Sequence, residues 1–230
     1  MHLSADDWTA VGLSLKVATV ATLASLPLGV AVAYLLARGN FRGRVLLDTL
    51  VHLPLILPPV VTGYALLLLF GRRGPIGAFL ADTFGIVFAF RWTGAALAAA
   101  VMGFPLMVRA IRLGIEAVDP QLEQAAGTLG ANRAWVFATV TLPLILPGLC
   151  AGAVLAFAKA MGEFGATITF VSNIPGETQT LPSAIYSLTQ TPGGDAEALR
   201  LVALSVAISM GALLASEWLV ARHRRRIAAA

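Results

Sequence analysis

Long runs without charged residues constrain the fold of this chain of 230 residues more than any other feature. The apolar core of a bilayer is about 30 Å thick, and roughly 20 helical residues cross it. Five runs approach that length, at positions 17–37, 49–71, 92–108, 134–158 and 201 to about 221. Because backbone groups inside lipid must be hydrogen-bonded within the protein, each run is predicted to be helical. The expected fold is an all-α integral membrane protein with about five transmembrane helices.

Composition agrees with a membrane protein and excludes several other classes. Charged residues make up 12% of the chain, about half the usual share in soluble domains. The single cysteine, Cys150, cannot form an internal disulfide, and the three histidines form no Cys/His pattern typical of zinc sites. The net charge of +4 is accounted for by four arginines close to the C-terminus, beside the last run. We expect neither a cofactor nor a nucleic-acid partner for this chain.

The distribution of arginines predicts an orientation, because cytoplasmic loops carry an excess of Lys and Arg. If the loop after the first run is cytoplasmic, ten arginines lie on that side and four on the other. The ten are Arg38, Arg42, Arg44, Arg109, Arg112, Arg133, Arg222, Arg224, Arg225 and Arg226. The four are Arg72, Arg73, Arg91 and Arg200. We therefore expect the N-terminus outside and the C-terminus in the cytoplasm, with Glu217 close enough to the cytoplasmic surface to reach the headgroups.

Proline is frequent inside the runs, and each proline removes a backbone donor, so bends or breaks are expected there. Two interpretations of these prolines are open. They either form joints in helices around a pathway that opens and closes, or they are the ordinary prolines of membrane helices. The sequence LPLILP occurs twice, at 53–58 and 142–147. This recurrence is either a parallel internal repeat or a coincidence, and it predicts that both runs begin with the same kind of bend. The prolines inside the runs are Pro27, Pro54, Pro58, Pro59, Pro105, Pro143 and Pro147.

The chain is expected to form one transmembrane domain, 1–230, and its most specific segment is the predicted cytoplasmic loop 109–133. Asp119 and Pro120 are typical of a helix start, which predicts a helix over 120–129. Gly130 suits a left-handed cap at its end, and Asn132 suits the start of a second helix. One face of the first helix carries Leu122, Ala125, Ala126 and Leu129.

Two other interpretations of this loop compete with a protein-docking helix. A helix-turn-helix DNA reader is disfavoured, because Glu116, Asp119 and Glu123 face only Arg133 across the loop. Contact with phosphates requires a basic surface, which this segment lacks. A plain solvated connector between two membrane helices stays open on composition alone.

The segment EQAAGTLG at 123–130, followed by VTLP at 140–143, resembles the EAA motif of ABC importer permeases. In that motif, Glu-Ala-Ala is followed after three residues of any type by Gly. After nine further residues comes Ile, and after one more comes Leu-Pro. Gln124 occupies the motif's Glu position, and Glu123 lies one residue earlier. The resemblance implies that the loop inserts into a groove on a cytoplasmic ATPase subunit and transmits its closure to the membrane helices. The residues implied in this coupling are Glu123, Gln124, Ala125, Ala126, Leu129 and Gly130.

Three further segments resemble the group of ABC permeases that serves molybdate and sulfate. They are HLPLILPPVV at 52–61, FPLMVRA at 104–110 and GEFGAT at 162–167. The segment FVSNIPGET at 170–178 and the compact five-span build are most similar to the molybdate members. The resemblance implies a permease subunit in the inner membrane of a bacterium, with a second copy of itself, an ATPase and a periplasmic or lipid-anchored oxyanion-binding protein as partners.

The outer stretch 162–199 is expected to be re-entrant or to lie on the surface. The GEFGAT segment opens it, and it supplies candidates for a gate or for docking of the binding protein: Glu163, Phe164, Gly165 and Thr167. Lys159 lies one helical turn before Glu163, so an ion pair between them is expected. The four acidic residues between 163 and 197 would repel a dianion, which implies a separate protein that captures the substrate.

The chain is predicted to be a transporter subunit and no enzyme. Its GRRG segment at 71–74 lacks the lysine and hydroxyl of a phosphate-binding loop, so ATP is expected to be hydrolysed by the partner. Within the class, a sulfate, thiosulfate or tungstate permease is the alternative to molybdate. Outside it, a secondary transporter or channel, or a membrane scaffold protein without transport, stays open.

Overall fold

The computed structural model describes residues 4–228, without the side chains of residue 213 and residues 215–228. Every regular element in residues 4–228 is helical, as the sequence predicts. The α-helices are α1 (Ala5–Arg38), α2 (Arg44–Ile56), α3 (Pro59–Phe70), α4 (Pro75–Phe84), α5 (Trp92–Glu116), α6 (Pro120–Thr128), α7 (Arg133–Val136), α8 (Leu142–Met161), α9 (Gly165–Val171), α10 (Leu181–Thr189) and α11 (Asp195–Ala228). A π-helical turn, Phe137–Thr141, joins α7 to α8.

Helix α5 is the centre of the bundle, with α1 and α8 packed along it. Small side chains on α5 permit this, because its alanines at 95, 96, 98 and 99 are almost fully buried. The approach to α8 is closest at Gly152, where a Cβ atom would lie 2.9 Å from the carbonyl oxygen of Met107. At Gly148 a Cβ atom would lie 3.1 Å from the Cα of Gly114. Backbone meets backbone along this interface, so α5 and α8 are held at a fixed separation.

Among the residues that the structure describes in full, three helical stretches are long and apolar enough to cross a bilayer: α1, α5 and the continuous stretch Arg133–Met161. The bent pair of α2 and α3 gives a fourth when it is taken as one span. The fifth predicted run lies in α11, which is helical to Ala228. The side chains of residue 213 and residues 215–221 of that run, Glu217 among them, lie outside the described residues, as do those of the last four arginines. The count of five spans therefore stays a prediction.

The second run, 49–71, is broken where bends or breaks were expected, at Pro58 and Pro59. Helices α2 and α3 meet at an angle of 115° across a break at Leu57 and Pro58. Both residues are extended, with ψ of 144° and 135°. Each precedes a proline, whose ring disfavours helical ψ in the residue before it. The consecutive prolines Pro58 and Pro59 therefore explain the break.

The prediction that both LPLILP copies begin with the same bend is wrong. In the second copy, α8 begins at Leu142 directly after the π-helical turn and continues through Pro147. Pro147 is followed by Gly148, whereas Pro58 is followed by a second proline that forces it out of the helical region. The identical letters thus fold differently because of the residue that follows them.

The outer stretch forms two short helices within the bundle. Helix α9 packs against α3, and α10 packs against α1 and α11. The backbone N–H of Leu181, at the start of α10, donates to the hydroxyl of Ser14 on α1 at 2.6 Å. Phe170 and Leu181 are fully buried. This stretch is therefore part of the packed structure at the end of the bundle where α1 and α5 begin.

Filling the α5–α8 contact is expected to destabilise the fold. Gly152→Leu would force new atoms against the Met107 carbonyl and the Ile111 side chain, at a cost of about 1–3 kcal/mol. Thermal unfolding of the detergent-solubilised protein should show a lower melting temperature. Gly12→Leu is the matched control, because Gly12 is also helical but has open space around it. Equal melting temperatures for the two variants would contradict this account.

Candidate functional site

Helix α6 starts as the sequence predicts. The carboxylate of Asp119 accepts a hydrogen bond from the backbone N–H of Gln121 at 2.9 Å, with Pro120 as the first helical residue. The side chain of Asn132 likewise caps α7, accepting from the N–H of Trp135 at 2.9 Å. Each cap satisfies a donor that the first helical turn leaves free. Helix α6 is thus a defined element between two helix starts.

The end of α6 confirms the predicted role of Gly130. Its φ is +87°, in the left-handed region, and the N–H of Ala131 donates back to the carbonyl oxygen of Ala126 at 3.3 Å. This closure is typical of a glycine C-cap. The α-helix itself ends at Thr128, one residue before the predicted end at Leu129. The turn fixes the direction in which the chain leaves α6.

Helix α6 is exposed along its length, and none of its residues is buried. Leu122 is half exposed, Leu129 is 89% exposed and Trp135 is 64% exposed. Leu129 and Trp135 line a shallow cleft of about 460 Å³ with Ala126, Gly130, Ala131, Asn132 and Thr139. Large apolar side chains exposed together mark a surface for contact with a protein or with the membrane.

Glu123 is the exception on α6, because it points into the protein. One carboxylate oxygen lies 3.2 Å from Nε of Arg38, at the end of α1, in an ion pair without hydrogen-bond geometry at Nε. The other accepts a hydrogen bond from the hydroxyl of Thr141 at 2.7 Å. Arg38 also donates from Nη2 to the carbonyl oxygen of Val118 at 2.9 Å. Gln124, the next residue of α6, is exposed.

Arg38 and Thr141 are partners of Glu123 that the sequence does not predict. In the sequence, Arg38 contributes only to the excess of arginines that predicts the orientation. No local spacing relates residues 38, 123 and 141. The one available signal is that Arg38 carries a positive charge at the last turn of a long apolar helix. We name these three side chains the Arg38–Glu123–Thr141 cluster.

The second group of predicted residues lies around Glu163. Its side chain is 2% exposed; one oxygen accepts from Nζ of Lys159 at 2.7 Å, which confirms the predicted ion pair. The other oxygen accepts from the backbone N–H of Ala166 at 2.9 Å, in the first turn of α9. A buried carboxylate needs such partners, because leaving a charge unpaired in the interior is costly. Glu163 thus anchors α9 to the end of α8.

The other members of this group fix α9 to its neighbours. A Cβ atom on Gly165 would lie 2.7 Å from the Cβ of Pro59, so α9 starts against the break between α2 and α3. The ring of Phe164 lies 5.1 Å from the ring of Tyr186 on α10. Thr167 is almost fully buried. The GEFGAT segment is therefore packed at the point where the second run bends.

The two groups lie at opposite ends of α8. That helix has 20 residues, so it is about 30 Å long. It begins next to Thr141 and ends next to Glu163, and the structure brings neither group to the other. Among the described residues, no group of three or more His, Cys, Asp or Glu is placed to hold a metal ion. The geometry places an exposed, capped helix at one end and a packed bend at the other, joined by one continuous helix.

An all-helical chain with several apolar spans and an exposed, capped helix at one end is a multi-pass membrane protein. Residues 25–228 match a family model described as binding-protein-dependent transport system inner membrane component, and the chain belongs to that family.

Curated relatives cover nearly the whole chain. It is 63% identical over 226 residues to the molybdenum transport system permease protein ModB of Escherichia coli (strain K12), covering 98% of this chain and 99% of that protein. It is 56% identical to the protein of the same name from Haemophilus influenzae, covering 95% and 96% of the two chains. A more distant relative is the sulfate transport system permease protein CysT of Salmonella typhimurium, at 37% identity over 94% of this chain and 77% of that one.

Solved structures show the same fold. One is a bacterial ABC transporter involved in the import of the acidic polysaccharide alginate, with a TM-score of 0.76 at 17% identity, over 96% of this chain and 80% of that one. Another is an inward-facing MetNI methionine ABC transporter, with a TM-score of 0.69 at 16% identity, over 94% of both chains. The helix arrangement is therefore shared well beyond recognisable sequence identity.

Removing the lysine that faces Glu163 is expected to destabilise the protein. In Lys159→Met the Glu163 carboxylate keeps the Ala166 N–H but loses its counter-charge, at a cost of about 2 kcal/mol, since Lys159 is partly exposed. The melting temperature in detergent should fall for Lys159→Met and recover partly in Lys159→Met/Glu163→Gln. Additive losses in the double variant would argue against a coupled pair.

Proposed function

We propose that this chain is the membrane-spanning permease subunit of an ATP-driven, binding-protein-dependent importer, and that it forms the translocation pathway for molybdate. The observation that carries the proposal is 63% identity over 98% of the chain to a molybdenum permease. The sulfate permease at 37% identity is considerably more distant. The transported ion is thus assigned by similarity to known permeases.

The proposed partner at α6 is an ABC ATPase subunit, which binds and hydrolyses ATP. The supporting observation is the exposed apolar surface formed by Leu122, Leu129 and Trp135. Small residues along α6, at Ala125, Ala126 and Gly127, let another protein's backbone approach closely. Glycine 130 and the two helix caps hold this surface in a fixed direction, as a docking element requires.

The proposed partner at the other end is a periplasmic or lipid-anchored oxyanion-binding protein. Glu177 and Asp195 are exposed there and would repel free molybdate, a dianion at neutral pH, whereas Glu197 lies 3.5 Å from Arg200. Delivery by a protein that shields the ion's charge avoids this repulsion. Two roles were expected for the GEFGAT segment, a gate or a docking site for the binding protein. Because Glu163 and Thr167 are buried, we assign the segment, with Phe164 and Gly165, the role of a gate.

A second copy of the chain is proposed to complete the pathway, because the described spans are too few to enclose one. Apolar side chains of α2 and α3 are exposed on both sides of the break: Ile56 is 76% exposed, and Val60, Tyr64 and Leu68 are each just over half exposed. In the membrane, such faces meet lipid or another protein. The proposed orientation has α6 in the cytoplasm, the N-terminus outside and the C-terminus cytoplasmic.

The proposed mechanism uses the two ends of α8. ATP-driven closure of the ATPase subunits displaces residues 122–130, and α8 carries this displacement toward α9. Because α9 starts against Pro59, its movement changes the angle between α2 and α3. The pathway between the two copies would then switch from inward to outward facing and accept the ion from the docked binding protein.

Transport in vesicles tests this proposal and its alternatives. Vesicles carrying this chain, its candidate ATPase and a binding protein should show saturable, ATP-dependent uptake of labelled molybdate that resists excess sulfate. Efficient competition by sulfate, thiosulfate or tungstate would change the assigned ion and keep the class. Uptake without ATP would overturn the importer in favour of a secondary transporter or channel, and no uptake at all would favour a scaffold protein.

Blocking the left-handed turn after α6 is expected to uncouple transport. Gly130→Val places a β-branched residue at φ +87°, which costs roughly 1–2 kcal/mol or more. The ATPase should then bind at least about tenfold more weakly, a factor that corresponds to 1.4 kcal/mol, and uptake should fall with it. Gly193→Val is the matched control, because Gly193 has φ +82° and open space at the opposite end. Unchanged uptake and ATPase binding in Gly130→Val would contradict the docking role.

A further inference from the structure

Helix α6 is attached to the bundle by polar contacts rather than by apolar packing. None of its residues is buried, yet the side chain of Glu123 is only 17% exposed and that of Arg38 only 21%. Thr141 is 1% exposed. A helix whose apolar side chains face solvent needs another means of fixing its position, and the Arg38–Glu123–Thr141 cluster supplies one.

Arg38 holds the start of α6 from two directions. It is the last residue of α1, and its Nη2 donates to the carbonyl oxygen of Val118, directly before the N-cap Asp119. The same guanidinium lies 3.2 Å from the Glu123 carboxylate in the next turn. Arginine can make both contacts because its planar group carries a positive charge that pairs with Glu123 and a separate N–H donor for the Val118 carbonyl. The end of α1 and the start of α6 are thereby joined.

Thr141 makes the second attachment, to the stretch that leads into α8. Two residues earlier, the hydroxyl of Thr139 donates to the carbonyl oxygen of Trp135 at 2.7 Å, within its own helix. The hydroxyl of Thr141 instead donates to Glu123, 18 positions away. Thr141 closes the π-helical turn, and such turns interrupt α-helical bonding and occur frequently at functional sites. The bond therefore ties α6 to the least regular part of the stretch.

We propose that the Arg38–Glu123–Thr141 cluster is the joint that transmits displacement of α6 to α1 and to the start of α8. Glu123 is a positioning residue in this account, since it contacts neither the ion nor the exposed face of α6. The inference rests on the proposed function of α6 as the ATPase docking helix. It adds that the ATPase can stay bound while transport fails, if the joint is opened.

Four single substitutions test the joint in the complete transporter. Glu123→Gln keeps an acceptor but removes the charge that pairs with Arg38, and Thr141→Val removes the hydroxyl while keeping the shape. Thr141→Ser is the conservative variant, because it keeps the hydroxyl. Glu116→Gln is the matched control, because Glu116 forms an ion pair with Arg112 at 2.8 Å on the surface near the end of α5.

The decisive quantity is the amount of labelled molybdate imported per ATP hydrolysed, measured together with ATPase binding and melting temperature. We expect Glu123→Gln and Thr141→Val to bind the ATPase normally and to import at least fivefold less molybdate per ATP. Thr141→Ser and Glu116→Gln should stay within twofold of the unaltered protein. A proportional loss of import, ATPase binding and thermal stability in Glu123→Gln would mean that the cluster only stabilises the fold, and would overturn the joint.

Hydrogen exchange in the isolated permease separates the joint from the proposed function. Opening the joint should raise amide exchange across residues 118–128 in Glu123→Gln and Thr141→Val, but not in Glu116→Gln. Unchanged exchange would overturn the joint whatever the transport result. If the unaltered transporter showed no ATP-dependent uptake, the proposed function would be wrong. Faster amide exchange in Glu123→Gln and Thr141→Val would then show only that the cluster attaches α6 to the bundle.

Discussion

The fold depends on the absence of water from the bilayer core, because every backbone N–H and C=O there must find a partner within the protein. The helices satisfy this requirement internally, and irregular backbone is confined to places where the sequence compels it. The break at Leu57 and Pro58 is such a place, because each of these residues precedes a proline, Pro58 or Pro59, which disfavours helical ψ. That one break then needs a packed neighbour, which α9 supplies through Gly165 against Pro59.

The close packing of α8 on α5 restricts how these two helices can move against each other. Backbone approaches such as Gly152 to Met107 permit little sliding without a clash. In the proposed mechanism, a helix held in this way moves as a unit and carries a displacement from the start of α8 to its end. The π-helical turn before Leu142 is the point where the same stretch departs from α-helical bonding. The π-helical turn is thus adjacent to α6, and α8 continues from it toward α9.

Local features were predictable from the sequence, and features that depend on distant pairs were not. The caps at Asp119 and Asn132 and the left-handed Gly130 were predicted correctly, because a few adjacent residues determine each of them. The ion pair of Lys159 with Glu163 was predicted from its spacing of one helical turn. The contact of Arg38 with Glu123 joins positions 85 apart, which no periodicity reveals. The LPLILP prediction was wrong because it ignored the residue after the second proline.

The offset between Glu123 and the motif's usual glutamate position acquires a physical meaning from the structure. Adjacent residues of an α-helix point about 100° apart, so Glu123 and Gln124 cannot serve the same surface. Glu123 faces Arg38 and Thr141, whereas Gln124 faces outward. A carboxylate at 124 would place a negative charge on the exposed side, whereas the one at 123 is compensated within the chain. The acidic residue of this segment therefore pairs within the chain, and the exposed surface of α6 carries no charged side chain.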